Sequence, residues 1–308
     1  MALHPMHNQP FQPTGINTSM PIPNASRRLF TASLLLGAAV AAMAARPANA
    51  ENASYQFSPV NQYGIELTAQ YWNPIIDYVS KKAGVQLRLK IGRTSADTTA
   101  YVLANEVDFV FTNHLFSPER DKLGWRTVAR RNTPPIHSQI LVLEDSPIKS
   151  LEQLADQSVV FPGPEALVAY KYSYAQLLNR KIPVHVGFSG NHDGAFAQLV
   201  SGKAQAVGAN SQLGDGWSRR EGRKLRVLWQ SEALHDLALM VSKNVPDNHL
   251  HAVQRAFVEM GGDPEGRKIL ATASELVKLP PSTAFVNSTG SEYAAYRSFY
   301  QTAPASLR

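Results

Sequence analysis

Residues 158–170 read SVVFPGPEALVAY. Val159, Val160 and Phe161 form a short unbroken apolar run, the pattern of a strand covered on both faces. Pro162, Gly163 and Pro164 end it, and a helical pattern starts at once from Glu165. A strand that runs straight into a helix is the repeating unit of α/β folds. It is also a way to build an anion site, because the first helical turn presents unpaired N–H groups and the positive end of the dipole. Glu165 complicates this turn. A carboxylate there favours the helix, yet it repels a bound anion if it faces the ligand.

The same alternation extends in both directions. Upstream, SYQFSPV (54–60) reads as a strand and residues 64–84 as an amphipathic helix closed by Gly84. VQLRLKI (85–91) alternates strictly, as a half-buried strand does, and residues 95–105 form a short helix with Ser95 as its cap. VDFVF (107–111) is another doubly covered strand, and HSQILVLED (137–145) a further one. Downstream, SLEQLAD (150–156) is a short helix and residues 165–180 a longer one. IPVHVGF is a strand, residues 191–203 a helix capped by Asn191, and AQAVGAN and LRVLWQS strands. HDLALMVSK (235–243) is the last predicted strand, with helices near 247–260, 263–273 and 290–301. Two βαβα blocks of about a hundred residues each predict two α/β lobes with largely parallel sheets. HSQILVLED and DLALMVSK are the expected crossings, a two-strand hinge. Lobe 1 is then 51–142 with 236–308, and lobe 2 is 143–235.

The first 50 residues do not read as a folded domain. SRRLFTASLLLGAAVAAMAARPANA (26–50) has paired arginines, an apolar run and a small-residue Ala48-Asn49-Ala50 site, the layout of an export signal. Ser26-Arg27-Arg28-Leu29-Phe30 resembles a twin-arginine signal, and Met20 is an alternative start. Cleavage after Ala50 leaves residues 51–308. Of the 30 basic residues, Arg27, Arg28 and Arg46 depart with the leader, leaving 27 against 24 acidic, a net charge of +3. That suits a small anionic ligand and does not demand nucleic acid. The chain has no cysteine, so disulfides and thiolate metal sites are excluded.

Local text narrows the fold. LEDSPIKSLEQLADQSVVFPGP (143–164), GNHDGAFAQLVSGKAQAVGAN (190–210) and LRVLWQSEAL (225–234) resemble successive segments of the phosphonate/phosphate/phosphite-type periplasmic solute-binding proteins of ABC transporters. These are type II periplasmic binding proteins, and the resemblance covers most of 54–275. It implies a two-lobed α/β fold with two crossover hinge strands, and an exported protein that closes on a small oxyanion. That protein performs no chemistry, needs no cofactor, and delivers its ligand as a monomer to an ABC permease. In the family, the helix after the strand of 158–161 begins with a Ser-Thr-Ser-Gly-like run whose hydroxyls and N–H groups hold the phosphonate oxygens. Gly163-Pro164-Glu165-Ala166-Leu167 carries no hydroxyl, and Pro164 no N–H. The resemblance also places an acidic residue, which holds cationic ligand ends, where this chain has Gln205. An aminophosphonate is therefore disfavoured.

Ligands of open α/β sheets sit beyond the carboxyl ends of the strands. Those ends carry Asn61, Gln62 and Tyr63; Thr112, Asn113 and His114; Gly163, Pro164 and Glu165; Asn191, His192 and Asp193; and Asn210 and Ser211. Tyr63 can donate its hydroxyl to an oxyanion or pack in the core. Thr112 and Asn113 are neutral donors at a strand end, where loop capping is the bland alternative. His114 and His192 can donate, switch charge or bind metal, and Asp193 can orient His192 or cap its helix. The expected binding set is Tyr63, Thr112, Asn113, His114, Gly163, Glu165, Ala166, Leu167, His192, Asp193 and Asn210. Two rivals stand beside this reading: a periplasmic ligand-sensing subunit for a membrane histidine kinase or cyclase, and a metal-dependent hydrolase. Little supports the hydrolase. GFSGN (187–191) is not a nucleophile elbow, GRTSADTT lacks the lysine of a P-loop, and His249 and His251 do not share a helix face. SRREGRKLR (218–226) reads as a solvated helix end.

Overall fold

The structure is a computed structural model that describes residues 53–308. The export-signal reading therefore lies outside the described residues. The chain begins with β1 (Ser54–Pro59), α1 (Ile65–Ala83), β2 (Gln86–Leu89), α2 (Asp97–Leu103), β3 (Phe109–Thr112), α3 (Pro118–Asp121) and β4 (Arg126–Arg131). It crosses to a second sheet at β5 (Ser138–Leu143) and continues through β6 (Ser158–Phe161). A π-helical turn (Leu167–Tyr172) runs directly into α4 (Ser173–Asn179), followed by β7 (His185–Phe188), α5 (His192–Val200), β8 (Ala206–Asn210), α6 (Ser211–Glu221) and β9 (Leu225–Gln230). The chain then returns to the first sheet with β10 (Ala238–Val241), α7 (Asp247–Glu259), α8 (Pro264–Val277), β11 (Phe285–Asn287) and α9 (Ala294–Thr302).

The strand orders are β11-β4-β10-β3-β1-β2 and β7-β6-β8-β5-β9. Each sheet has a parallel heart, β2-β1-β3 or β7-β6-β8, flanked by antiparallel strands. The expectation of largely parallel sheets is corrected accordingly. The strand that follows each crossing, β5 or β10, runs against the βαβ unit it joins, because the chain arrives from the other sheet.

The apolar runs are continuous because both faces of each sheet are covered. Val159 and Phe161 pack into one core of the second sheet, with Ile140, Val142 and Leu177. Val160 faces the other core, with Leu141, Phe196 and Trp217. Phe109 and Phe111 likewise face the core under α1, α7 and α8, and Val110 faces the opposite one. That opposite core also holds Leu167, Val168 and Ala175 of the second sheet's helix, packed with Tyr293, Tyr296 and Phe299 from the C-terminal region.

Two sequence expectations shift. SLEQLAD makes only one 3-10 turn, Glu152–Leu154. β5 belongs wholly to the second sheet and β10 wholly to the first, so neither strand is a crossing. The chain passes between sheets at 132–137 and 231–237, where a single antiparallel bridge joins Ile136 and Leu234. The boundary expected at 142/143 would split β5.

Arg131, the last residue of β4, and Asp236, two residues before β10, form an ion pair at 2.6 Å with both side chains only 1% exposed. Arg131 Nε donates to Asp236 Oδ2 at 2.7 Å, and its guanidinium lies over the Phe111 ring. Burial alone would drive the guanidinium toward neutrality, but Asp236 and Tyr71 keep it charged. Removing one partner leaves the other charge buried and uncompensated. Arg131→Met should therefore lower stability by about 3–5 kcal/mol in urea unfolding, and Arg131→Met with Asp236→Leu should recover much of that loss.

Candidate functional site

The carboxyl ends of the parallel strands of both sheets face one another across a closed cleft. A cavity of about 30 Å³ lies between them, lined by Val60, Gln62, Ser95, Asn113, His114, Leu237, Ala166, Leu167, Val168, Ala169, His192 and Asn210. The first six belong to the first sheet's side or the crossing, the last six to the second. A cavity of this kind needs ~10–15 Å³ to hold one water. It has room for one compact group and none for an extended arm.

The Pro-Gly-Pro turn shapes one wall. The helix does not start at Glu165 but at Leu167, with Ala166 as an N-cap that supplies no side-chain bond. Its opening turn is π-helical, with Lys171 N–H bonding back to Ala166 O at 3.1 Å. The N–H groups of Leu167, Val168 and Ala169 have no backbone acceptor among the described residues, and these three residues line the cavity. This turn sits on β8 because residue 208 is glycine. A Cβ there would fall 2.3 Å from both Ala169 O and the Phe161 ring.

The histidines come from opposite sides. His114 follows β3. Its backbone N–H donates to Thr112 Oγ1 at 3.0 Å, and its Nδ1 shares a hydrogen bond with Thr99 Oγ1 at 3.1 Å. His192 opens α5, where Asn191 caps the helix through Gly194 N–H at 2.8 Å. Both ring nitrogens of His192 lack a partner among the described residues, as does Ser95 Oγ. Burial holds both imidazoles neutral, with pKa values lowered to about 3.

Of the expected set, Asn113, His114, Ala166, Leu167, His192 and Asn210 share the cavity wall. The other five lie elsewhere. Thr112 uses its hydroxyl on the His114 N–H. Tyr63 is buried with its hydroxyl unpartnered and its ring under Arg220. Asp193 pairs with Arg220 at 2.5 Å and accepts from Gly64 N–H across the cleft at 3.3 Å. Gly163 is a point of close approach, since a Cβ there would meet Ser95 Oγ at 2.6 Å.

Glu165 turns away from the cavity. It pairs with Arg120 of α3 at 2.5 Å, and Arg120 also donates to His114 O at 2.8 Å. Burial would raise the Glu165 carboxyl, but the Arg120 hydrogen bond and charge overcome this and hold it below the ordinary range. Lys171, largely buried over the Tyr300 ring, stands near the same pair. Gln205 lies outside the cavity, bonded to Ser158 N–H and Gly202 O at the opposite end of β8. Its loss of acidity therefore has no bearing on a ligand held here.

Ser95 was expected to cap α2. Ala96 stands at that position and no side chain caps the helix, while Asp97 accepts the N–H groups of Arg93 and Thr94 in the preceding turn; the Ser95 hydroxyl has no partner among the described residues. Ser95 N–H instead donates across the cleft to Gly190 O at 2.7 Å, and His192 N–H donates to Gln62 O at 3.2 Å. Among the described residues no three His, Asp or Glu side chains converge as metal ligands would, and no helix is long and apolar enough to cross a membrane.

The model of the periplasmic substrate-binding proteins of phosphonate ABC transporters matches residues 57–286. The chain belongs to this family. Solved structures agree in fold. A binding-protein component of an ABC phosphonate transporter from Pseudomonas aeruginosa superposes with a TM-score of 0.69 at 16% identity, over 82% of this chain and 87% of that one. PhnD1 of Prochlorococcus marinus, solved with methylphosphonate, gives 0.66 at 14% identity, over 80% and 97%. A Xanthomonas citri protein bound to ATP gives 0.63 at 13% identity, over 83% and 97%. No curated protein matches significantly in sequence. Membership makes the chain a substrate-binding component of the phosphonate transporter type, and the sensor and hydrolase readings draw no support from these likenesses.

Two predictions follow from the geometry. Glu165→Gln strips Arg120 of its carboxylate in a mostly water-excluded place, so urea unfolding should show a loss of about 1–3 kcal/mol. In the unfolded chain the imidazoles take up protons near pH 6.5, but in the folded, unliganded protein only near pH 3. Between those values the unfolded state binds more protons. Stability is therefore fully present above about pH 6.5 and is lost as pH falls toward 3, more steeply in the parent than in His192→Gln, as urea midpoints across pH should show.

Proposed function

We propose that this chain captures a compact tetrahedral oxyanion, of the phosphite or short alkylphosphonate kind, between its two sheets and presents it to an ABC permease. The observation that carries this is the cavity itself. It gathers three free backbone N–H groups, the unpartnered Ser95 hydroxyl and two imidazoles, all out of water. Such donors are what a desolvated oxyanion needs. The absent hydroxyl run at 163–167 is offset from the facing side by Ser95 and by Asn113, and the repulsive Glu165 is held aside by Arg120. The methylphosphonate in the P. marinus relative fits the same size class.

The two sheets then act as lobes that open by bending at 132–137 and 231–237. The cross-cleft bonds Ser95–Gly190 and His192–Gln62, with the Arg120–Glu165 pair, hold the closed form. The working protein would be a monomer exported through the twin-arginine route and cleaved after Ala50.

A thermal-shift panel tests the reading with phosphite, methylphosphonate, phosphate, an aminoalkylphosphonate and sulfate. A ligand at 100 times its Kd stabilises by ~2.7 kcal/mol, a readily measured shift. Phosphite or methylphosphonate should stabilise the protein, the longer aminoalkylphosphonate much less, and Asn113→Ala should weaken the effective ligand by about 1–3 kcal/mol. A panel in which no anion shifts the melting point would overturn the oxyanion reading.

A further inference from the structure

Among the described residues, the cavity wall contains no Arg, Lys, Asp or Glu. An oxyanion entering it brings a negative charge into a closed, water-poor space with no fixed countercharge in contact. An uncompensated buried charge is costly, and the usual escape is a change of protonation. The titratable groups in the wall are the two imidazoles, which reach it from opposite sides of the cleft. His192 has both ring nitrogens buried and unbonded, so it has an open position for a second N–H. His114 keeps one nitrogen on Thr99 and has the other to offer.

We propose that His114 and His192 take up a proton as the oxyanion enters, so that the ligand charges its own site and binding strengthens as the medium becomes more acidic. This rests on the oxyanion reading above. The surroundings favour His192 as the main acceptor. Beside it stand Asp193 on its own helix and Arg220 on α6, and these two neutralise each other in a 2.5 Å pair. Around His114 the charged groups are Arg120 on α3, Glu165 before the π-turn and Lys171 within it. Their balance is one positive charge in excess, which opposes protonation of His114 while helping to hold an anion. In the empty site burial keeps both rings neutral, so a bound anion supplies the Coulomb attraction that burial alone lacks. The proton taken up comes from solvent or buffer and forms an N–H bond directed at a ligand oxygen.

Calorimetric titration of the purified protein with phosphite, methylphosphonate and sulfate, at pH 7 in two buffers of unequal ionisation enthalpy, counts the protons exchanged. Net uptake approaching one proton is expected, with affinity rising up to about tenfold per unit fall in pH. In His192→Gln, whose amide still donates a hydrogen bond, the uptake and the pH slope should collapse, and His114→Gln should reduce them less. Uptake that persists unchanged in both variants would place the proton on the ligand and overturn the proposal. Binding without net uptake would overturn it as well and leave the oxyanion reading standing, whereas no binding by any of the three anions would remove both. Should a variant fail to fold, ¹⁵N shifts of the histidines in the parent protein, with and without anion, read the same event. Conversion of His192 to imidazolium supports the proposal, and a neutral ring in the complex ends it.

Discussion

The Arg131–Asp236 pair is the buried charge constraint at the base of the two crossings. It ties the end of β4 to the residue leading into β10, the two places where the chain leaves and re-enters the first sheet. Burying two charges completely is not in itself stabilising. Its consequence is that any pairing of β4 with β10 that separates the two groups leaves both charges buried and uncompensated. The planar guanidinium is held further by the Phe111 and Tyr71 rings. The crossings are bridged once, between Ile136 and Leu234, and the parallel strands of both sheets end at the space between them. The cavity is the space this leaves.

The cleft reconciles two opposed demands at the end of β6. Helix formation after Pro-Gly-Pro is favoured by an acidic residue, and an anion site at the same place is not. Arg120 resolves the conflict from the facing side by drawing the Glu165 carboxylate out of the wall. The helix start moves to Leu167, and the residues of the π-turn whose N–H groups have no backbone acceptor among the described residues line the cavity. Closure and ligand recognition are therefore coupled through chemistry, since the residue that would repel the ligand is also a clasp between the two sides.

Much of the fold was legible because it depends on local pattern. Continuous apolar triplets such as Val159–Phe161 announce strands covered twice, and the cap at Asn191 was readable from residue type and position. β4 was missed because RTVARR carries three arginines in six residues, a composition that reads as surface. Arg131 is nonetheless buried, through a partner 105 residues away. β11 was missed because three residues are too few to show a period. The crossings were assigned to β5 and β10 because those strands are conspicuous, while the true connections, 132–137 and 231–237, have no pattern of their own.

At the site, strand ends and the family resemblance located the right region but not the direction of each side chain. Thr112, Glu165 and Asp193 are polar groups at strand ends, as expected, and each is consumed by a neighbour: the His114 N–H, Arg120, and Arg220 with Gly64. Ser95 read as a cap, but α2 starts one residue later, behind Ala96, and the Ser95 hydroxyl is left without a partner among the described residues. By itself the sequence determined the α/β alternation, the covered strands, the family and the strand ends that build the cleft, since all of these follow from periodicity and local motifs. The tertiary structure alone decided which polar groups are already satisfied and which are left to meet a ligand. For Glu165 and Asp193 that outcome depends on partners 27 to 129 positions away, to which no local pattern gives access.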